Sequence, residues 1–190
     1  YRFHDANLSS MVRSARHAVA LDERRRTFRP TRWENVADLN AAHGNDGDLP
    51  YQELFFPGDH GSVGGGGNIT ELSSIGLRWI IEGAQTAGLG FDAKALQSIK
   101  AEENPMGPLR NTTQKSSGAL DWLMRRNPVD RDGPAHLDEL HSSAIVRWTA
   151  EAQDNAFKPY RPGSLRQLEP KLARLHKQEM YGTKPEILTT

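Results

Sequence analysis

The chain contains no cysteine, which excludes disulfides, thiolate metal sites and a cysteine nucleophile. It has no excess of either charge: 24 Lys and Arg balance 24 Asp and Glu. No global field therefore draws it to nucleic acid, and none is expected as a partner. The short basic clusters, Arg24 to Arg26 and Arg125-Arg126, read as solvated helix faces. No apolar run approaches the roughly 20 residues of a membrane helix, and no signal peptide is visible. Any meeting with lipid is then expected to be peripheral. Hydrophobic residues are also scarce, at 36%, and mean hydropathy is −0.68. A compact domain carries about 45–50% apolar residues with glycine counted. The 17 glycines narrow that gap, so a modest core with long polar connections is expected.

Periodicity divides what is present. Tyr1 to Phe3 reads as the tail of a strand. Leu8, Met11, Val12, Ala15 and Val19 recur at helical spacing and predict a helix, capped by Asp5 or Asn7, with Asp22 continuing the stripe. Residues 40–50 are rich in Gly, Asn and Asp and predict a loop. Tyr51 to Phe56, bounded by prolines, predicts a buried strand, and Pro57 to Gly67 a glycine-rich loop. Asn68 with Glu71 three residues on predicts a helix start, with Leu72, Ile75, Gly76, Trp79, Ile80 and Gly83 buried and Gly88 as its end. A short helix is expected from Asp92. Residues 104–136 read as irregular, Leu137 to Trp148 as an amphipathic helix, and Pro170 to Tyr181 as a basic one. The chain begins at Tyr1 without an initiator methionine, and a fragment or processed product is the expectation.

The stretch from Leu54 to Gly67 places a histidine, His60, in a loop between a buried strand and a helix. In open α/β sheets functional groups sit in loops just past the strand ends. A triad histidine needs such a place, because it must reach a nucleophile on one side and an acid on the other. A glycine-rich surface turn with an incidental histidine fits the local pattern equally well. A phosphate loop does not fit: Asn68 stands where GxxxxGK[ST] requires lysine, and GxGxxG fails in every frame from Gly61 to Gly67.

Asp22 is the second candidate. A carboxylate on an apolar stripe is costly to bury without a partner, and a histidine ring N–H would serve. A salt bridge to Arg25 or Arg26 at a helix end accounts for it as well. The nucleophile is missing. No serine has glycine at both −2 and +2, as the G-x-S-x-G elbow requires. Ser62 has Gly64 after it but His60 before it. In α/β-hydrolases the order is Ser, then acid, then His, so the serine is expected in a segment upstream of Tyr1. His4, His17 and His43 are too scattered for a zinc site. His141 and Trp148 share a helical face and read as core, and Asp59 reads as structural.

Ordered pieces of the chain resemble the DUF2235 family of α/β-hydrolases, which includes type VI secretion phospholipase effectors. They are Phe3-His4-Asp5 with Leu8, His17 to Arg25, Phe28-Arg29-Pro30 with Trp33, Phe56-Pro57-Gly58-Asp59-His60 with Val63 to Gly66, Leu72-Ser73 with Leu77 to Trp79, Leu140 to Ser143 with Arg147, and Tyr160-Arg161-Pro162. The resemblance implies that His60 is the triad histidine. It points to Asp22 as the acid, with Asp5 as the alternative. The family usually has aspartate two residues after the histidine, where this chain has Ser62.

The expected architecture is α/β: the C-terminal part of an α/β-hydrolase sheet over residues 1–103, with a mostly helical extension over 104–190 packing on it. The expected chemistry is hydrolysis of carboxylic, lipid-type esters through a Ser-Asp-His triad whose serine lies outside this chain, with no cofactor. A noncatalytic binding or scaffold module derived from a hydrolase is the competing expectation. A cytoplasmic enzyme and a secreted effector fit the sequence equally.

Overall fold

The computed structural model describes residues 6–43, 49–110, 129–150 and 159–181. Two parallel strands, β1 (Ala15–Ala20) and β2 (Tyr51–Phe56), pair in register from Ala15 opposite Tyr51 to Ala20 opposite Phe56. Six α-helices surround them among the described residues: α1 (Val36–His43), α2 (His60–Gly64), α3 (Glu71–Thr86), α4 (Ala93–Glu102), α5 (Ser142–Thr149) and α6 (Glu169–Tyr181). The architecture is mixed α/β around a small parallel sheet.

β1 corrects the helix expected from Leu8 to Val19. A spacing of four residues, as between Ala15 and Val19, keeps side chains on one face at either period, 3.6 or 2. What decides is burial from both sides. Val19, Ala20 and Leu21 are consecutive and all buried, whereas a surface helix buries one stripe. Met11, assigned to the predicted stripe, is 88% exposed. The expected strand at Tyr1 to Phe3 and the cap Asp5 lie outside the described residues.

The pleat sends alternate residues into two cores. Val19, Leu21 and Phe55 face a cluster built from Leu140, Ala144, Trp148, Tyr160, Leu165, Leu168 and Leu172. Ala20 and Phe56 face the other way, onto Val63, Leu72, Ile75 and Trp79. Residues 140–150 and 159–172 thus cover one face of the sheet, and α2 with α3 covers the other. Two-sided covering is what a parallel sheet requires.

α3 begins after Thr70, two residues later than the expected Asn68 cap, and Thr70 makes no side-chain capping bond. Leu72, Ile75, Gly76 and Trp79 are buried as read, but Ile81 is buried in place of the exposed Ile80, and Gly83 is only half-buried. Gly76 allows the close approach of α2, since a Cβ there would meet the Val63 carbonyl at 3.2 Å. Gly88, at φ +94°, closes the helix end as expected. Asp92 caps α4 by accepting from the Ala95 N–H at 2.9 Å.

The helix expected over 137–148 is divided. A 3-10 turn spans Leu137–Glu139 and α5 starts only at Ser142. Between them Leu140 bridges Phe55, and the His141 N–H donates to the Phe55 carbonyl at 3.0 Å. Pairing with the sheet edge outweighs local helical periodicity there, and the His141 ring then caps α5 through the Ser143 N–H.

Leu168 is fully buried and Leu77 is 48% exposed. Leu168→Ala is expected to cost about 2–5 kcal/mol, whereas Leu77→Ala should stay within about 1 kcal/mol. Denaturant titration of the two variants checks the contrast.

Candidate active site

The site forms where the two strands end. After Phe56 the chain turns through buried Pro57 and Gly58. Gly58 has φ +115°, and a Cβ there would lie 2.8 Å from the Ser62 Cβ and 3.2 Å from Leu72 Cδ1. The turn therefore needs glycine for both conformation and space. Asp59 then caps α2, accepting from the Ser62 N–H at 2.9 Å, while its own N–H donates to the Leu109 carbonyl at 2.8 Å. Its role is structural, as its position beside His60 suggests. The Ser62 hydroxyl is buried and donates to the Pro108 carbonyl.

His60 is the first residue of α2 and is exposed. Its imidazole meets the Phe28 ring edge-on at 5.1 Å and 68°. Among the described residues the ring has no hydrogen-bond partner. It borders a cavity of about 760 Å³ whose walls include Ala20, Phe28, Val63, Leu77 and Ile80. Gly65 and Gly66, both at positive φ, carry the chain around the same cavity.

Asp22 lies just past the end of β1, where no helix stripe exists. Its Oδ2 accepts from the Gly58 N–H at 2.7 Å and from the Tyr160 hydroxyl at 2.7 Å. Its own N–H donates to the Gly58 carbonyl at 3.0 Å. Burial pushes the Asp22 carboxyl above its ordinary value, and the bonds from Gly58 and Tyr160 offset only part of that rise. Asp22 lines a second cavity, of about 420 Å³, together with Arg161 and Arg166. No hydrogen bond joins it to the His60 ring, and no salt bridge joins it to Arg25 or Arg26. Asp5, the other acid considered, lies outside the described residues.

The carboxylate that does touch His60 is Glu23, which the pattern of residues did not single out. Its side chain is only 2% exposed. Oε1 accepts from the Arg25 backbone N–H and Nε, each at 2.8 Å, and Oε2 from Arg25 Nη2 at 2.6 Å. Oε2 also accepts from the His60 backbone N–H at 3.3 Å. Burial raises this carboxyl, but the bonds from Arg25 outweigh it and hold the pKa at about 2. The signal available in the sequence was the Glu23-Arg24-Arg25 spacing two residues after the apolar run Ala18 to Leu21.

Other candidates resolve into structure. His141 stacks on Phe56 at 4.3 Å, and burial, with repulsion from Arg78, lowers its pKa to about 4. It is a neutral core histidine. His17 bonds Glu53 at 2.7 Å. No group of three or more His, Cys, Asp or Glu among the described residues could hold a metal ion.

Glu23 ties the fold to pH. Its folded carboxyl sits at about 2, below the ordinary 4.5. It therefore stabilises the native state fully above about pH 4.5, and that contribution is lost as pH falls toward 2. The melting midpoint should fall through this window more steeply in the parent protein than in Glu23→Gln, as measured by thermal unfolding at a series of pH values. Parallel curves would count against the pairing.

No curated protein and no solved structure matches the chain. The family comparison covers β1, β2, α2 and most of α3, and so includes Asp22, Glu23 and His60, but nothing beyond residue 83. Over residues 1–83 the chain matches the type VI secretion phospholipase effector Tle1-like catalytic domain, the effector family that its motifs resemble.

Proposed function

We propose that this chain supplies the acid–base part of a lipid-ester hydrolase, with His60 as the general base. The observation that carries the reading is the state of His60: an exposed imidazole without a hydrogen-bond partner among the described residues, held at the C-terminal edge of a parallel sheet beside a largely apolar cavity. Loops past the carboxyl ends of parallel strands are where open α/β sheets place their chemistry. The matched family, a phospholipase effector catalytic domain, supports ester bonds of lipids as the substrate class.

In this reading β1 and β2 belong to an α/β-hydrolase sheet within residues 1–103, and residues 104–190 are an extension packed on it. The nucleophile is a serine in a segment outside these residues, since no G-x-S-x-G occurs here. That serine attacks the ester carbonyl while His60 takes its proton. The tetrahedral intermediate collapses, and His60 returns the proton to the departing alkoxide. Water, deprotonated by His60, then attacks the acyl-serine, and His60 returns that proton to the serine oxygen as the acid leaves. No metal or organic cofactor enters these steps.

Asp22 is the triad acid of this reading. Its Oδ1 has no hydrogen-bond partner among the described residues and is the atom left for an imidazole N–H. The competing role is the one its Oδ2 already performs, clamping Gly58 two residues before His60.

Two variants of the complete protein test these assignments. His60→Ala should lower hydrolysis of a phospholipid or a chromogenic short-chain ester by roughly 10,000-fold, with the circular dichroism spectrum unchanged. Undiminished hydrolysis would sink the general-base assignment. Asp22→Asn should lower kcat about 100-fold or more if Asp22 orients the imidazolium. A kcat within about 2-fold of the parent would instead assign Asp22 to the clamp alone. Assaying the 190 residues by themselves separates the noncatalytic module from the enzyme fragment, because the module needs no complementing segment to bind its ligand.

A further inference from the structure

A charged cluster lies directly behind His60 and takes no part in the proton transfers. We infer that Glu23 is a positioning residue for His60, acting together with Phe28. The inference rests on the reading of His60 as the base. Glu23 itself touches no reacting atom.

The geometry closes on itself. Glu23 Oε2 accepts from the His60 N–H, which fixes the backbone at the point where the imidazole leaves the chain. The same carboxylate holds Arg25 through three hydrogen bonds. Arg25 lays its guanidinium over the Phe28 ring, 3.8 Å from the centroid. Phe28 in turn meets the His60 imidazole edge-on. Arg131 completes the support by donating to the carbonyls of Phe28 and Ala20. One carboxylate therefore governs both constraints on His60, its backbone directly and its ring through Arg25 and Phe28.

The need for such a device follows from the local fold. His60 opens a helix of five residues directly after a turn at positive φ, and so short a helix has little rigidity of its own. An exposed ring on such a segment samples several rotamers unless a neighbour restricts it. A catalytic base displaced by about 1 Å can lose on the order of 100-fold in rate. The Glu23–Arg25 pair also stabilises the fold, as the lowered Glu23 carboxyl shows, so the test has to separate the two effects. Orientation of His60 gives Glu23 and Arg25 a role that stability alone does not.

The test uses the complete protein and kinetics taken well below each variant's own melting midpoint, with the folded fraction fixed by circular dichroism. Glu23→Gln keeps the side-chain size and removes the charge. Its kcat should fall about 10- to 100-fold while KM stays within about 2-fold. A purely structural role would lower the midpoint but leave kcat and KM of the folded fraction unchanged. Should Glu23→Gln fail to fold, Phe28→Leu serves in its place, because it leaves the Glu23–Arg25 pair standing. Its kcat should fall several-fold at constant KM. Parent-like kcat in the folded variants, alongside an inactive His60→Ala, overturns the positioning role alone. An active His60→Ala overturns the base assignment and the inference with it.

Discussion

The contact on which the site depends is the clamp between the ends of the two strands. Asp22 accepts the Gly58 N–H and returns its own N–H to the Gly58 carbonyl. A parallel pair has no hairpin to set its register, so some other contact must fix how far β2 runs before the chain turns. The reciprocal bonds do this at the residue where the turn begins. The Tyr160 hydroxyl seals the same carboxylate from the far side, which ties residues 159–172 to the geometry of the His60 loop. Disturbing the packing around Tyr160 therefore disturbs a turn that lies 102 residues away in sequence.

Neighbouring carboxylates are driven in opposite directions by their surroundings. Asp22 is enclosed by neutral donors, and burial wins: its carboxyl rises. Glu23 is also buried but meets a guanidinium through three bonds, and pairing wins. Both residues lie past the end of β1 at Ala20, so the loop and not strand alternation sets their directions. Leu21 and Asp22 leave β1 toward the side of Tyr160, and Glu23 turns toward Arg25 and His60. Charge is therefore kept behind the imidazole as a fixed carboxylate, while the clamp needs only the hydrogen-bonding capacity of Asp22.

Elements whose signals are local were readable in the residues: β2, the glycine-rich turn, α3 with its end at Gly88, α4 behind Asp92, and the helix ending at Tyr181. Elements decided by distant partners were not. β1 passed for a helix because Ala15 and Val19 satisfy both periods, and only its covering from two sides identifies it. The helix expected over 137–148 lost its first part to a pairing with Phe55, which no local pattern announces. The place of His60 past the strand end was legible because a strand, a turn and a helix in succession mark it, whereas its role as base belongs to the proposed reading. Asp22 was noticed for a wrong reason, a helical stripe, though its burial proved real. Glu23 was passed over because its importance arises from Arg25 folding back on it, and a run of arginines on paper reads as solvent-facing charge.

His60 and His141 show how environment sets one residue type in two different states. Both sit at the N-terminal boundary of a helix next to β2. His141 has its Nδ1 engaged with Ser143 and its ring flat against Phe56, so taking up a proton would place a charge in the core. A neutral ring fixed in one tautomer is a good helix cap and a poor proton carrier. His60 has its backbone held by Glu23 and one ring edge against Phe28, with both ring nitrogens without partners among the described residues. A base must exchange protons with a reacting group and then release them, which requires an imidazole that is oriented but not consumed by its supports. Of these two, His60 alone meets that condition among the described residues, which is what the proposed role as base requires.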